Sequence, residues 1–449
     1  MEHEAEKDNV FYRILKKEFW PVIDRGEGIY LYDTNGNKYI DGCSGSVVVN
    51  IGHGVQEVAE AMYHQAKKVC FARPFIFANE PQIALAERII ELSPKGMSRV
   101  FFSSGGAEAV ETAIKLARQY HVETGNAHKF IVISRWHSYH GNTIGALSAT
   151  GRISSRKYFT PYLLNFPHIP PSYCYRCPFG KTYPGCAIDC AYALEEEVKH
   201  QGPENVSAFI GDPIPGSMIE AATPPPEYWP IIRSICDKYN ILLIDDEVWN
   251  GFGRTGRNFG IDHWNVIPDI MTLGKGVSSG YAPISATVVQ EKVFNALRSG
   301  SGNFKHGYTM GGNPLSCSAG LANVEYMIKN NLIHRAAKRG DYFFKKASTL
   351  KKLEMVGDIR GKGLLIGIEF VKDKELREPF EVEREVNGLV SRILFKNGLM
   401  VMPGTPETKY IRGDGILLAP PLIITESQLD DIISILEKSI IEVQGLLKS

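Results

Sequence analysis

The segment Pro-Asp-Ile-Met-Thr-Leu-Gly-Lys-Gly (268–276) ends a short apolar run on Lys275, a lysine held between two glycines. An amine at the end of a buried strand, with no side chain on either neighbour, is placed to meet a ligand. Twenty-nine residues upstream, Asp246 closes a second run of this kind, Ile-Leu-Leu-Ile-Asp-Asp-Glu-Val (241–248). An acid and an amine at the ends of neighbouring buried strands suit pyridoxal phosphate. The amine forms a Schiff base with the aldehyde, and the carboxylate keeps the pyridine nitrogen protonated so that the ring accepts carbanion charge. Taken alone, each residue is weak evidence, since a Gly-Lys-Gly also reads as a solvated turn.

Three further clusters fit or test that chemistry. Ser103-Ser-Gly-Gly-Ala-Glu108 falls between a strand pattern and a helix pattern. The amides of Gly105, Gly106 and Ala107 at the helix start can therefore point at a phosphate while the helix dipole favours its charge; an ordinary strand-to-helix turn is the plainer alternative. Trp136-His-Ser-Tyr-His-Gly-Asn-Thr143 follows an apolar run and sets an aromatic cluster where a flat ring could lie, with core packing as the alternative. Gly251-Phe-Gly-Arg-Thr-Gly256 matches the dinucleotide pattern G-x-G-x-x-G. No amphipathic helix opens after Gly256, so nothing would hold a pyrophosphate, and a nicotinamide site is not expected.

Asp246-Glu247-Val248 running into Gly251-Phe-Gly-Arg-Thr-Gly256, followed by Pro268-Asp269 and Lys275, resembles the signature of class III aminotransferases. The resemblance spans nearly the whole chain, from Gly-Ile-Tyr-Leu-Tyr-Asp-Thr-Asn-Gly-Asn-Lys-Tyr-Ile-Asp (28–41) to Leu-Leu-Ala-Pro-Pro-Leu-Ile-Ile-Thr (417–425). It implies that the turn at Gly105, Gly106 and Ala107 grips the cofactor phosphate, although Ala107 stands where Ser or Thr is usual. It implies that Tyr139 stacks on the pyridine ring while His140 and Gly141 shape the turn. It selects Asp246 over Asp245, which a strand's period of two sends to the opposite face, and it presses Val248 on the ring face opposite Tyr139.

In His306-Gly-Tyr-Thr-Met-Gly-Gly-Asn-Pro314 the resemblance gives Thr309 the role of reaching across a dimer to the partner's cofactor phosphate. Substrate contacts implied at positions of Trp20 and Val47 compete with simple burial. Trp249 stands where the family has a smaller or polar residue, giving an unusual pocket wall. Asp212 replaces a glutamate that in some members balances a substrate-binding arginine. Arg412, before Gly413-Asp-Gly, is a candidate carboxylate binder, an exposed loop arginine being the alternative.

Cys174-x2-Cys177-x8-Cys186-x3-Cys190 has the close pairing of a metal ligand set, but its intervals are irregular for a zinc ribbon. Free thiols or local disulfides are the expected state and no metal ligand is assigned. The segment reads as a surface insertion.

The elements that must position these residues show as apolar runs at 99–103, 129–134, 206–211, 241–245, 269–273 and 284–289, separated by helix-like stretches. Such runs fit strands buried on both faces of a mostly parallel sheet. In 107–118, Val110, Ala113, Ile114 and Ala117 share one helix face. Asn35-Gly36 between Tyr30 and Ile40 is a hairpin signal, residues 313–350 read as mainly helical, and helices are expected over 381–396 and 426–447.

At 449 residues, with 50 Lys plus Arg against 50 Asp plus Glu, the chain has room for two domains and no charge bias towards nucleic acid or anionic membrane. The acidic, polar start and the lack of a spanning apolar stretch suggest a cytoplasmic protein. The fold class expected is α/β: a large domain with a mostly parallel sheet flanked by helices, in fold type I, plus a smaller α+β domain built from both chain ends. The boundaries expected are 1–60, 61–330 and 331–449. The function expected is amino transfer from an amino acid or amine to a 2-keto acid, with pyridoxal 5'-phosphate, in a homodimer or dimer of dimers. An amino-acid racemase or epimerase of the same family is the alternative, and a dialkylglycine-type decarboxylase a lesser one.

Overall fold

The computed structural model describes residues 2–4, 9–17, 19–216, 218–404 and 413–448. At its centre is a seven-stranded sheet whose spatial order is Met97–Ser103, Ser285–Gln290, Ile270–Leu273, Leu242–Asp246, Val206–Gly211, Ile131–Arg135, His168–Ile169. The four pairs from Ile270–Leu273 to His168–Ile169 are parallel. Ser285–Gln290 runs antiparallel to both its neighbours. Every residue of Val206–Gly211, Leu242–Asp246 and Ile270–Leu273 is buried. That is why these strands are written as unbroken apolar runs rather than as alternating ones.

The expected strands sit within two residues of the observed ones. The run starting at Lys129 becomes a strand only at Ile131. Lys129 instead sends its ammonium to the carbonyls of Pro203, Val206 and Tyr239 at 2.6, 3.0 and 3.0 Å, tying the strand starts together. The helix after the first strand spans Gly106–Glu123 and buries Val110, Ala113 and Ala117 against the sheet, with Ile114 half-buried at its edge.

Both chain ends meet in a second, smaller sheet. Ile23–Glu27, Tyr30–Asp33 and Lys38–Asp41 form an antiparallel meander, and Leu399–Met400 adds in parallel beside Lys38–Asp41. Its tight turn follows from Gly36 at φ +84° and from Asp33, whose Oδ1 accepts the amides of Asn35 and Asn37 at 3.0 and 2.8 Å. A third sheet joins Val356–Lys362, Leu365–Phe370, Asp414–Leu418 and Met402–Pro403.

The helical stretch after Asn313 is two helices, Pro314–Lys329 and Leu332–Ala347, broken where Asn331 takes φ +52°. The helix expected from 381 starts at Val386 because Glu385, at φ +46°, interrupts a preceding 3₁₀ turn. The last helix covers Glu426–Lys448.

The glycine-rich Gly251–Gly256 segment braces these parts. Arg254 is fully buried; it donates to the carbonyls of Leu364 (3.1 Å) and Pro420 (2.6 Å), to Asn50 Oδ1 (2.8 Å) and to Ser44 Oγ (3.3 Å). Gly256, at φ +83°, lies so close to the Leu332–Ala347 helix that a Cβ would stand 2.8 Å from Ala337 Cα. These glycines serve close packing, in keeping with a pattern that lacks a following helix.

Candidate active site

Asp246 and Thr272 are partners in register on adjacent parallel strands, and Lys275 follows three residues after Thr272. Ligands of open α/β sheets bind at this carboxyl end of the strands. Lys275 opens a one-turn 3₁₀ segment at φ +43°, an uncommon conformation for a non-glycine residue and one that clusters at functional sites.

Asp246 is 1 % exposed and held on both oxygens. Oδ1 accepts from Thr272 Oγ1 (2.9 Å) and from the Val248 amide (3.1 Å), while Oδ2 accepts from His140 Nδ1 (2.6 Å). Each carboxylate oxygen has two lone pairs, so Oδ2 retains capacity for one more donor. The His140 Nε2 is buried without a partner. Asp245 turns the other way, as the strand period requires. Burial, and then the neighbouring Glu247, push its carboxyl far above the usual range. Glu247 accepts the amides of Gly260 and Ile261, both at 2.8 Å, and is itself raised to about 8 by burial.

Burial lowers the Lys275 amine to about 8, with Asp246 and Asp212 opposing the shift. An amine with that pKa is partly neutral near pH 7 and therefore available as a nucleophile. Its Nζ lies 3.5 Å from the ring centroid of Trp249. That ring is 7 % exposed and lies against Gly216, where a Cβ would be 3.1 Å from the indole.

Val248 packs between the acid and two glycines, Gly106 and Gly274. A Cβ on Gly106 would stand 3.0 Å from Val248 Cγ1, and one on Gly274 would stand 3.4 Å from it. Gly141, at φ +135°, packs so that a Cβ would meet Ala107 Cβ at 2.6 Å. Four segments far apart in sequence, 105–107, 139–141, 246–248 and 274–275, thus converge. The helix Gly106–Glu123 opens there with Gly105 as its N-cap, and Glu108 Oε2 takes the Ser104 amide at 2.8 Å. Tyr139 is half-buried in this group.

The remaining expected residues fall as follows. Val47 is buried at φ +59°, strained for a β-branched side chain. Its neighbours lie along the segment after Lys275: Val48 touches Gly280, and Ser279 Oγ accepts the Asn50 amide at 3.0 Å. Trp20 stacks on Tyr12 at 4.8 Å and carries Lys17 over its ring at 4.0 Å, contacts within the N-terminal segment. Thr309 is exposed, next to Tyr308, whose hydroxyl donates to the Glu108 carbonyl at 3.3 Å. Arg412 lies outside the described residues.

Asp212, which stands where some members carry a longer acid that balances a substrate-binding arginine, has its Oδ1 paired with Arg135 Nη2 at 2.7 Å, both side chains 1 % exposed. Strand order makes them neighbours, since Arg135 ends one parallel strand and Asp212 follows the end of the next. The cysteine segment is also less peripheral than expected. Its Tyr173 and Arg176 reach the fully buried Glu369 of the third sheet. All eight cysteines are unbridged. Cys174, Cys177, Cys186 and Cys190 line one small cavity, and among the described residues no group of three or more His, Cys, Asp or Glu is arranged to hold a metal ion.

The residues present fit pyridoxal phosphate: a buried amine of lowered pKa, a buried carboxylate with spare accepting capacity, and a helix start whose glycines no side chain could replace at Gly106 without displacing Val248. The class III aminotransferase family model matches residues 13–440, and the chain belongs to that family. It is 37 % identical to the diaminobutyrate–2-oxoglutarate transaminase of Halomonas elongata, covering 95 % of this chain and 91 % of that one. It is 34 % identical to the putrescine–pyruvate aminotransferase of Pseudomonas aeruginosa, over 95 % and 92 % of the two chains. A solved transaminase from a marine Virgibacillus superposes with a TM-score of 0.92 at 35 % identity, over 99 % and 98 %. These relatives support amino transfer over racemisation, and the enzyme is a pyridoxal phosphate-dependent aminotransferase. Among the described residues no helix is long and apolar enough to cross a membrane.

Proposed function

We propose that this chain moves an amino group from an amine or amino acid to a 2-keto acid with Lys275 and Asp246 as its catalytic residues. The observation that carries the assignment is their placement at the ends of adjacent parallel strands, one a buried amine of lowered pKa and the other a buried, triply hydrogen-bonded carboxylate. When bound, the cofactor supplies an aldehyde that condenses with amines and a ring that accepts electron density. Lys275 Nζ would hold the cofactor by that aldehyde and, when freed by the donor, would move the proton to and from the donor's amine-bearing carbon.

Asp246 would accept a hydrogen bond from the ring nitrogen's N–H and so keep that nitrogen protonated, with His140, Thr272 and the Val248 amide fixing the carboxylate in place. Gly105, Gly106 and Ala107 would bind the phosphate through backbone amides, the alanine leaving one hydroxyl contact unmade. Val248 and Tyr139 would flank the ring. Trp20, Val47, Trp249 and Arg412 stand as candidate substrate contacts, and Thr309 as a contact to the partner subunit's cofactor in a homodimer or dimer of dimers. The same proposal includes a cytoplasmic location and the boundaries 1–60, 61–330 and 331–449.

The two relatives are named for different donors and acceptors, so the substrate pair is best found by a donor-by-acceptor screen. The expected result is keto-acid consumption matched by deamination of the donor. Loss of donor chirality without keto-acid consumption would contradict the reading.

A further inference from the structure

The lysine of an aminotransferase is bonded to the cofactor in part of the cycle and acts as a free amine in another. Burial works against a cation at Nζ, and among the described residues no carboxylate oxygen stands within ion-pairing distance of it. The carboxylates that do act on it are both engaged elsewhere: Asp246 with His140 at 2.6 Å, and Asp212 with Arg135 at 2.7 Å. What lies nearest is the face of Trp249, its centroid 3.5 Å from Nζ.

We propose that Trp249 is a positioning residue of this reaction: its ring face receives the Lys275 amine and stabilises it as a cation whenever the amine is not bonded to the cofactor. The proposal rests on the assignment of Lys275 above and deepens it. Three observations support it. The separation is well inside the ~6 Å over which a cation and an aromatic face attract, and tryptophan is the strongest of the aromatic partners. The ring cannot swing away, because it is buried and wedged on Gly216, where even a methyl group would crowd it at 3.1 Å. The lysine's main chain is also set, at the left-handed φ +43° that opens its 3₁₀ turn. A buried π face opposite the amine constitutes a defined resting position. Without it a buried, unpaired cation would seek water or wander into the space the substrate must enter.

The consequence is a division of labour. Burial makes the amine easy to deprotonate, while the indole face limits how far that goes, so that Nζ can both take and return a proton near neutral pH. A cation–π contact is worth between ~0.5 kcal/mol when exposed and ~2 kcal/mol when desolvated. At 1.36 kcal/mol per pKa unit, that corresponds to a shift of about one unit.

The test is the pH dependence of cofactor capture. Apoenzyme is mixed with pyridoxal phosphate and the visible absorbance of the Lys275 adduct is followed; its rate depends on the neutral fraction of the amine. In Trp249→Leu the inflection should fall by about one pH unit, and in Trp249→Phe by less. Site-specific fluorinated tryptophans at 249, which drain the ring face without changing its shape, should lower the inflection stepwise and serve if the leucine variant does not fold. An inflection unmoved across the fluorinated series would overturn the proposal. Failure of the underlying assignment looks different: a Lys275→Ala apoenzyme would then develop the same absorbance.

Discussion

Replacing Asp246 by Asn tests how the acid site works, and the structure sets the size of the effect. The carboxylate takes three donors, Thr272 Oγ1, the Val248 amide and His140 Nδ1, and it is buried. Asparagine matches the shape but offers one accepting oxygen. If that oxygen stays towards Thr272 and Val248, its amide nitrogen meets the donating His140 Nδ1 at the former 2.6 Å contact. Losing a hydrogen bond to a charged group costs ~1.5–3 kcal/mol. Losing the negative charge beside a ring nitrogen's proton weakens that proton by ~1–3 pKa units, or ~1.4–4 kcal/mol. Because one change underlies both losses they overlap, and a net ~3–4 kcal/mol corresponds to a fall in kcat/KM of roughly 10²–10³-fold.

Asp245→Asn provides the contrast. Burial, and then Glu247, already disfavour the charged form of Asp245, so a neutral amide should cost activity less than about threefold. Steady-state kinetics of both variants with saturating cofactor, alongside their thermal midpoints, measure this directly. If Asp245→Asn proved the more damaging to turnover, or if Asp246→Asn kept near wild-type kcat/KM, the assignment of the two faces would be wrong.

Other consequences follow from the same geometry. In apoenzyme the lysine's pKa falls from 10.5 to about 8, so the unfolded chain binds more protons than the native one between those values. The resulting penalty is full below pH 8 and fades as pH rises towards 10.5. Its size, about 3 kcal/mol, is offset in part by the Trp249 contact at ~1–2 kcal/mol. Apo Lys275→Met should therefore be more stable than apo wild type at pH 7 by about 1–2 kcal/mol, the two converging near pH 10.5 in denaturant titrations; a less stable variant at pH 7 would contradict this. Arg254→Met should leave the carbonyls of Leu364 and Pro420 and the Asn50 amide oxygen without a donor and lower stability by about 3 kcal/mol, read as a fall in thermal midpoint; a change under ~0.5 kcal/mol would deny it the bracing role. Mixing Lys275→Ala subunits with Thr309→Ala subunits should give heterodimers with one intact site, and hence one tight cofactor site. Heterodimer affinity no better than that of the Thr309→Ala homodimer would mean that Thr309 serves its own chain or none.

What the sequence disclosed and what it hid divide along a physical line. The strands Val206–Gly211 and Leu242–Asp246 are legible because burial on both faces writes itself as a continuous apolar run. The turn at Asn35-Gly36 is legible because Gly36 needs φ +84°. The order of Asp246, the glycine segment and Lys275 carries the family. Pairings over long separations were not legible. His140 meets Asp246 across 106 positions and Arg135 meets Asp212 across 77; no local pattern marks either, and only the strand order makes them neighbours. Trp249 was noticed for its size, but its approach to Lys275 depends on the left-handed turn at the lysine and on the room left by Gly216, neither of which composition or periodicity announces. Arg254 hid inside a motif that suggests a nucleotide, and its donors are spent on backbone carbonyls of distant segments.

The most direct measurement of the central claim is to reduce the purified holoenzyme with borohydride, digest it and map the modified peptide. The expected result is a yellow protein whose colour is lost on reduction and a single pyridoxyl adduct on Lys275, within the Pro268–Gly276 segment. An adduct on a different lysine, or a holoenzyme in which reduction fixes no cofactor, would contradict it.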